Sequence, residues 1–423
     1  MLVTLVLALA AFIAIGMPLA FSMGLAAVVA LLVDGGVPMI VLPQKMYSSL
    51  DSFPLLAIPL FILAGAVMNV GGITGSLIGL ARVLVGHLRG GLGHVTVMTN
   101  VFFATISGSA AASAAAVGSM LIPEMVRDGY AREDAAVINA AAAILGPIIP
   151  PSIVMVIYGA MTGLSIGTLL IAGIGPGLLI ALILMIAVHF ISRSSNLRLY
   201  PRATLRQAAT ALKDAVPGLV MPVIIVGGII TGLFTATEAG VIAVAYGVVY
   251  ALAAGRSKLG GLARDVTDAA IVSSSIMIIL GGASLFSWIV AREGVPATIA
   301  AWLQAMTRDP TIVMILILGV LLAIGVFIEP IPAMVMLVPV LQPVSEAYAF
   351  DPIHFAMVVT FGLLLGSLTP PIAVLVLITC KIAKVDVNKA NRPLIPIFLA
   401  MMAALLLIAF VPWISLVAPM LLQ

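Results

Sequence analysis

The residues of this chain best suited to chemistry are two Pro-Pro pairs. They lie in Leu145-Gly146-Pro147-Ile148-Ile149-Pro150-Pro151-Ser152 and in Leu365-Gly366-Ser367-Leu368-Thr369-Pro370-Pro371-Ile372. Proline lacks an N–H and its ring clashes with the carbonyl four residues back, so each pair interrupts a helix. The carbonyls near Leu145, Gly146 and Ile149, and near Leu365, Gly366 and Thr369, are therefore expected to lack helical partners. Such oxygens suit a hard cation such as Na⁺. The half-helix C-terminus before each break adds negative charge, and the N-terminus after it favours an anionic group. The plainer alternative is a pair of proline kinks that only shape their helices.

Other polar residues stand out against an apolar background. Ser107-Gly108-Ser109, with Ser113, interrupts a segment of Ala and Val and offers hydroxyl and carbonyl ligands; close helix packing is the equal alternative for Ser113. Glu329 directly precedes Pro330. It reads either as an ordinary helix N-cap or as a site carboxylate, since a charge at membrane depth is costly and usually functional. Glu238, after Thr235 and Thr237, reads mainly as the acidic first turn of a helix. Ser273-Ser274-Ser275 and Ser284 could bond a polyol or carboxylate, or serve helix packing. The candidate substrate contacts are thus Ser113, Pro150, Ser152, Ser273, Glu329 and Pro370.

The elements that position these residues are membrane spans. Of 423 residues 63% are hydrophobic and 8% charged, against roughly a quarter charged in an average soluble domain. Apolar stretches at 2–33, 168–191, 218–233 and 393–411 meet or approach the ~20 residues needed to cross a bilayer. The composition excludes a soluble enzyme and predicts an all-α polytopic membrane protein. The net charge of +3 is dispersed, so no nucleic acid is expected as a partner. Cys380 is the single cysteine, no Cys/His cluster offers a metal site, and no Gly-x-x-x-x-Gly-Lys loop offers ATP hydrolysis. No cofactor is expected beyond a coupling ion. An intramembrane enzyme needs a base beside its nucleophile, and His87, His94, His189 and His354 all fall near segment ends.

The two breaks are related by an offset of 220 residues, which also pairs Pro123 with Pro343 and Pro176 with Pro396. Charge indicates that the copies are inverted. Segment 124–134 carries Arg127 and Arg132 while its counterpart 344–354 has no Lys or Arg; 159–167 is uncharged while 379–387 carries Lys381 and Lys384. Lys and Arg accumulate on the cytoplasmic side, so the sides are swapped. The expected organisation is a first repeat over 1–200, a cytoplasmic amphipathic connector over 201–216, and a second repeat over 217–423. Segment 2–33 would be about 48 Å long as one helix, so Gly16-Met17-Pro18 is expected to break it. Residues 74–87 read as a surface arm. Both flanks of 92–126, with Arg89 before and Arg127 and Asp128 after, read as cytoplasmic, which predicts a re-entrant hairpin tipped by Ser107-Gly108-Ser109, followed by a discontinuous helix over 133–161. The second hairpin, 311–347, has its tip at 326–330 and precedes a discontinuous helix over 352–384. Each half has five crossings besides its hairpin, and an odd number inverts the next half.

Several motifs together resemble the large membrane subunit of a tripartite ATP-independent periplasmic (TRAP) transporter. They are Ser107-Gly108-Ser109-Ala110-Ala111-Ala112-Ser113, Gly146-Pro147-Ile148-Ile149-Pro150-Pro151-Ser152, Thr235-Ala236-Thr237-Glu238-Ala239-Gly240, Phe327-Ile328-Glu329-Pro330 and Gly366-Ser367-Leu368-Thr369-Pro370-Pro371. The resemblance implies an elevator-type, Na⁺-driven importer of organic acids, of the sialic acid or C4-dicarboxylate class, in the bacterial inner membrane. It implies two partners: a periplasmic substrate-binding protein and a small four-helix membrane subunit, expected here as a separate chain. It places one Na⁺ at Ser107, Ser109, Gly146 and Ile149, and a second at Gly325, Gly366, Thr369 and Ile372, with Ile149 and Ile372 serving through their backbone carbonyls. The rival reading is a stand-alone Na⁺- or H⁺-coupled organic anion carrier without a binding protein.

Overall fold

Local rules of helix initiation and termination account for most of the architecture. The structure is a computed structural model that describes residues 1–194, 197–198, 200–254, 259–370 and 373–422. Among these residues all regular structure is helical. The opening segment is split as expected: α1 (Leu2–Ala14) ends before Gly16, whose φ is +82°, and Pro18 starts α2 (Leu19–Asp34). A short helix α3 (Val41–Leu50), unforeseen because its sequence is polar and contains Pro43, leads to α4 (Ala57–Val70) and the arm α5 (Ile73–Val85).

The first hairpin comprises α6 (Gly91–Ser107) and α7 (Ala110–Arg127). Gly108, at φ +60°, closes α6, and the Ser109 side chain accepts from the Ala112 N–H to start α7. The first discontinuous helix is α8 (Arg132–Ala143) and α9 (Ile153–Thr162), the latter capped by Ser152. Helices α10 (Ile166–Ala172) and α11 (Ile174–Ile191) close this half.

The second half opens differently from expectation. The connector does not stand alone: its residues 205–216 are the first turns of α12 (Leu205–Ile230), which runs without interruption into the next span and carries Pro217 and Pro222 inside it. A capping box at Thr204 and Gln207 starts the helix ahead of the expected boundary. Then come α13 (Ala236–Ala253), α14 (Leu259–Arg292) and α15 (Val295–Met306). The second hairpin is α16 (Pro310–Phe327) and α17 (Pro330–Ala347), and the second discontinuous helix is α18 (Pro352–Gly366) and α19 (Val374–Ala383). Asp309 and Asp351 cap α16 and α18 just before their prolines. The chain ends with α20 (Val387–Phe410) and α21 (Trp413–Leu422).

Helix starts repeat at the offset read from the sequence: α7 and α17 begin at 110 and 330, α8 and α18 at 132 and 352. Among the described residues eight segments are long and apolar enough to cross a bilayer, which makes the chain a multi-pass membrane protein. Helix α4 packs on α13, and their counterparts α14 and α2 pack together in the same way. The first hairpin packs on α8, α7 also contacts α19, and α16 packs on α18. The Arg132 guanidinium donates to the Ala383 carbonyl over 2.8 Å, so the start of α8 meets the end of α19.

Candidate functional site

Each hairpin tip touches a helix break, and glycine makes the contact possible. A methyl group added at Gly146 would lie 2.8 Å from the Ser109 carbonyl oxygen and 2.9 Å from the Ser113 Oγ. One added at Gly108 would lie 2.6 Å from the carbonyl oxygen of Pro151. Across the other tip, Gly325 and Gly366 meet backbone to backbone: a methyl on Gly366 would come within 2.7 Å of the Gly325 Cα. At the first tip the Ser107 and Ser113 hydroxyls are 3.0 Å apart, both buried, and the Ser109 N–H approaches the Ser107 Oγ at 3.5 Å. Ser107, Ser109, Ser113 and Gly146 thus converge on one small region rich in oxygen.

The breaks are tighter than the sequence suggested. The Leu145 carbonyl accepts from the N–H groups of both Ile148 and Ile149; the Leu365 carbonyl accepts from Leu368, and Gly366 from Thr369. Those three oxygens are not orphaned, because the chain leaves the helix through tight turns that reuse its last carbonyls. The Gly146 and Ile149 carbonyls accept no hydrogen bond from the described residues. The Ile149 side chain packs toward Gly177, and the Thr369 hydroxyl donates back to the Leu365 carbonyl over 3.3 Å. Ile372 lies outside the described residues.

Two chambers meet at the second tip. One chamber, about 590 Å³, is lined by Ser107 to Ala112 at the first tip, Asn69 of α4, Val272 and Ile276 of α14, and Glu329 at the second tip. The other, about 570 Å³, lies on the far side of the second tip against Pro18 to Phe21 and Ser275. Glu329, Ser367 and Val374 line both. Glu329 holds the N-cap position of α17, yet its side chain makes no capping hydrogen bond. The exposed carboxylate instead lines the two chambers. Glu238 takes the opposite course: its carboxylate accepts from the Thr235 N–H (2.8 Å) and hydroxyl (2.9 Å), completing a capping box.

Of the six candidate substrate contacts, Glu329 alone lines these chambers. Ser113 is fully buried behind the tip on Ser107. Ser152 is fully buried as well, donating to the Pro147 carbonyl and capping α9. Ser273 turns away and donates to the Ala269 carbonyl over 2.7 Å, while its neighbours Val272 and Ser275 reach the chambers. Pro150 faces a separate groove beside Val223 of α12, and Pro370 is exposed outside both chambers. The sequence reading missed Asn69 and Ser367. Ser367 lay inside a quoted motif; Asn69, the one amide in α4, was the available signal for the other.

Comparison with known proteins gives a consistent assignment. Residues 6–414 match the family model described as tripartite ATP-independent periplasmic transporter, DctM component. The chain is 36% identical over 409 residues to the sialic acid TRAP transporter large permease protein SiaM of Vibrio cholerae, covering 96% of this chain and 95% of that one. It is 36% identical over 376 residues to the C4-dicarboxylate TRAP transporter large permease protein DctM of Pseudomonas aeruginosa, covering 89% and 88%. Its fold resembles that of the YdaH transporter of Alcanivorax borkumensis, with a TM-score of 0.63, 16% identity and coverage of 89% and 88% of the two chains. With the family model matching nearly end to end and relatives of this identity aligned over most of their length, the chain belongs to the DctM component family, the large permease subunits of TRAP transporters.

Proposed function

We propose that this subunit carries a small organic acid anion into the cell together with Na⁺, by an elevator movement of the hairpins and discontinuous helices against the other spans. The charge of the two chambers carries the reading. Among the described residues lining them, Glu329 is the sole ionisable side chain; no Lys, Arg or His is present. A carboxylate entering such a space without a compensating charge would be strongly disfavoured. Helix N-termini supply only partial positive charge; cations complete the compensation, and the oxygen-rich contacts between tips and breaks are suited to hold Na⁺. Anion and Na⁺ would then bind interdependently, which is the requirement for symport.

The relatives named for sialic acid and for C4-dicarboxylates support an organic acid of that class as the substrate. Family membership supports delivery by a periplasmic binding protein, a small membrane subunit as partner and residence in the bacterial inner membrane, rather than a carrier acting alone. The first cation would use Ser107, Ser109, Gly146 and the Ile149 carbonyl. The second would use Gly325, Gly366, Thr369 and Ile372. The meeting of the start of α8 with the end of α19, at Arg132 and Ala383, supports an inverted repeat. The test is uptake into proteoliposomes containing this chain and its small subunit, with binding protein and radiolabelled substrate outside. An inward Na⁺ gradient is expected to drive accumulation; equal uptake with K⁺ in place of Na⁺ would overturn the coupling.

A further inference from the structure

Two turns behind the first tip lies a polar cluster that neither chamber uses. The Asn139 side chain of α8 donates to the Ala114 carbonyl of α7 over 2.9 Å and accepts from the Asn100 Nδ2 of α6 at 3.4 Å. Asn100 Nδ2 also donates to the Thr96 carbonyl at 2.9 Å. Asn100 and Asn139 are both fully buried, and the Asn100 Oδ1 has no hydrogen-bond partner. One amide therefore ties both arms of the hairpin to the first discontinuous helix. Its attachment points are in register with the tip: Asn100 is two turns before Ser107, Ala114 adjoins Ser113, and Asn139 is seven residues before Gly146. Gly118 makes room for it, since a methyl there would lie 2.5 Å from the Asn139 Nδ2.

Packing alone does not require this arrangement. At the matching positions of the second repeat stand Val320, Met334, Val338 and Val359. Among the described residues no side-chain hydrogen bond joins α16 or α17 to α18; the polar tie of α17 goes to α14, from the Ser287 hydroxyl to the Val335 carbonyl over 2.7 Å. A buried amide with an unsatisfied oxygen is costly compared with apolar contact. What it supplies is register, because its hydrogen bonds form at one relative position of three helices and apolar side chains tolerate several.

We propose that Asn139 and Asn100 are positioning residues for the first cation site: they fix the hairpin against the discontinuous helix so that Ser107, Ser109 and Gly146 are held at coordinating distance before the ion arrives. The inference rests on the Na⁺-coupled reading above. Outer-shell groups that orient ligands typically change ion affinity by about tenfold or more when removed.

The test is the Na⁺ dependence of uptake in proteoliposomes for the double variant Asn100→Val with Asn139→Val, which copies the second repeat. The half-saturating Na⁺ concentration is expected to rise about tenfold, with the maximal rate and apparent melting temperature retained. An unchanged half-saturation in the folded variant overturns the proposal. Gly118→Ala supplies a second measurement should the double variant fold poorly: it should raise half-saturating Na⁺ in the native background and add nothing on Asn139→Val, where the displaced amide is already gone. An unchanged value for Gly118→Ala in the native background overturns the proposal equally. Native uptake that is indifferent to Na⁺ would reject the coupling itself, and with it this inference; a Na⁺-dependent native protein with insensitive variants rejects the inference alone.

Discussion

Two glutamates near helix starts, Glu238 and Glu329, show how context assigns a carboxylate. Glu238 spends its oxygens on Thr235, as a capping residue does; Glu329 leaves the helix N–H groups alone and faces the chambers. Sequence left Glu329 open between those roles, because Glu before Pro fits either. Replacing Glu329 with Gln is expected to leave stability within about 0.5 kcal/mol while uptake falls severalfold. Thr235→Ala removes the cap oxygen and should cost about 1 kcal/mol with uptake per folded molecule retained. Thermal unfolding of the purified protein alongside uptake separates the two; a large stability loss in Glu329→Gln would make it a structural cap.

At the scale of elements, the hairpins and breaks are built from local signals that the sequence displays openly. Prolines at 310, 330 and 352 open helices preceded by Asp309, Glu329 and Asp351, so these boundaries were placed within a residue or two. Less visible was α3, polar and interrupted by proline, and the continuity of α12 through its two internal prolines. Contacts between elements give the sharpest prediction. Gly325 and Gly319 share α16, but a methyl at Gly325 would lie 2.7 Å from the Leu363 carbonyl oxygen, whereas one at Gly319 would meet nothing within 4 Å. Gly325→Ala should therefore destabilise by about 1–3 kcal/mol and abolish uptake. Gly319→Ala should be neutral or stabilising by up to about 1 kcal/mol. Melting temperature and uptake of the two variants check this; equal behaviour would mean that the second tip does not sit on its break as described.

At the scale of the molecule, one contact joins basic segments of the two halves. Arg132 reaches Ala383, beside Lys384, so the basic loop after the first hairpin and the basic end of the second discontinuous helix share one end of the structure. Arg127 and Lys381 are both exposed. Cysteines placed at these two positions should react with a membrane-impermeant maleimide from the same side, the cytoplasmic one. The native Cys380 is buried and should contribute little background. Labelling from opposite sides would contradict both the charge reading and the meeting of Arg132 with Ala383.

The sequence by itself determined that the chain is helical and membrane-spanning, where the helices flanking the two tips and breaks begin and end, and that each of the two related breaks follows a helix pair. These features follow from composition and from the backbone chemistry of Pro, Gly, Ser and Asp, which acts within a few residues. Tertiary structure decided which polar atoms remain free and which side chains meet in the chamber. Leu145 and Gly366 carbonyls were claimed by nearby N–H groups; Asn69 and Ser367 came in; Ser273, Pro150 and Pro370 did not. Successive residues of a helix point about 100° apart, so chamber membership depends on each helix's rotation against its neighbours. Helices that are apolar on every side carry no pattern to reveal that rotation, and only their packing sets it.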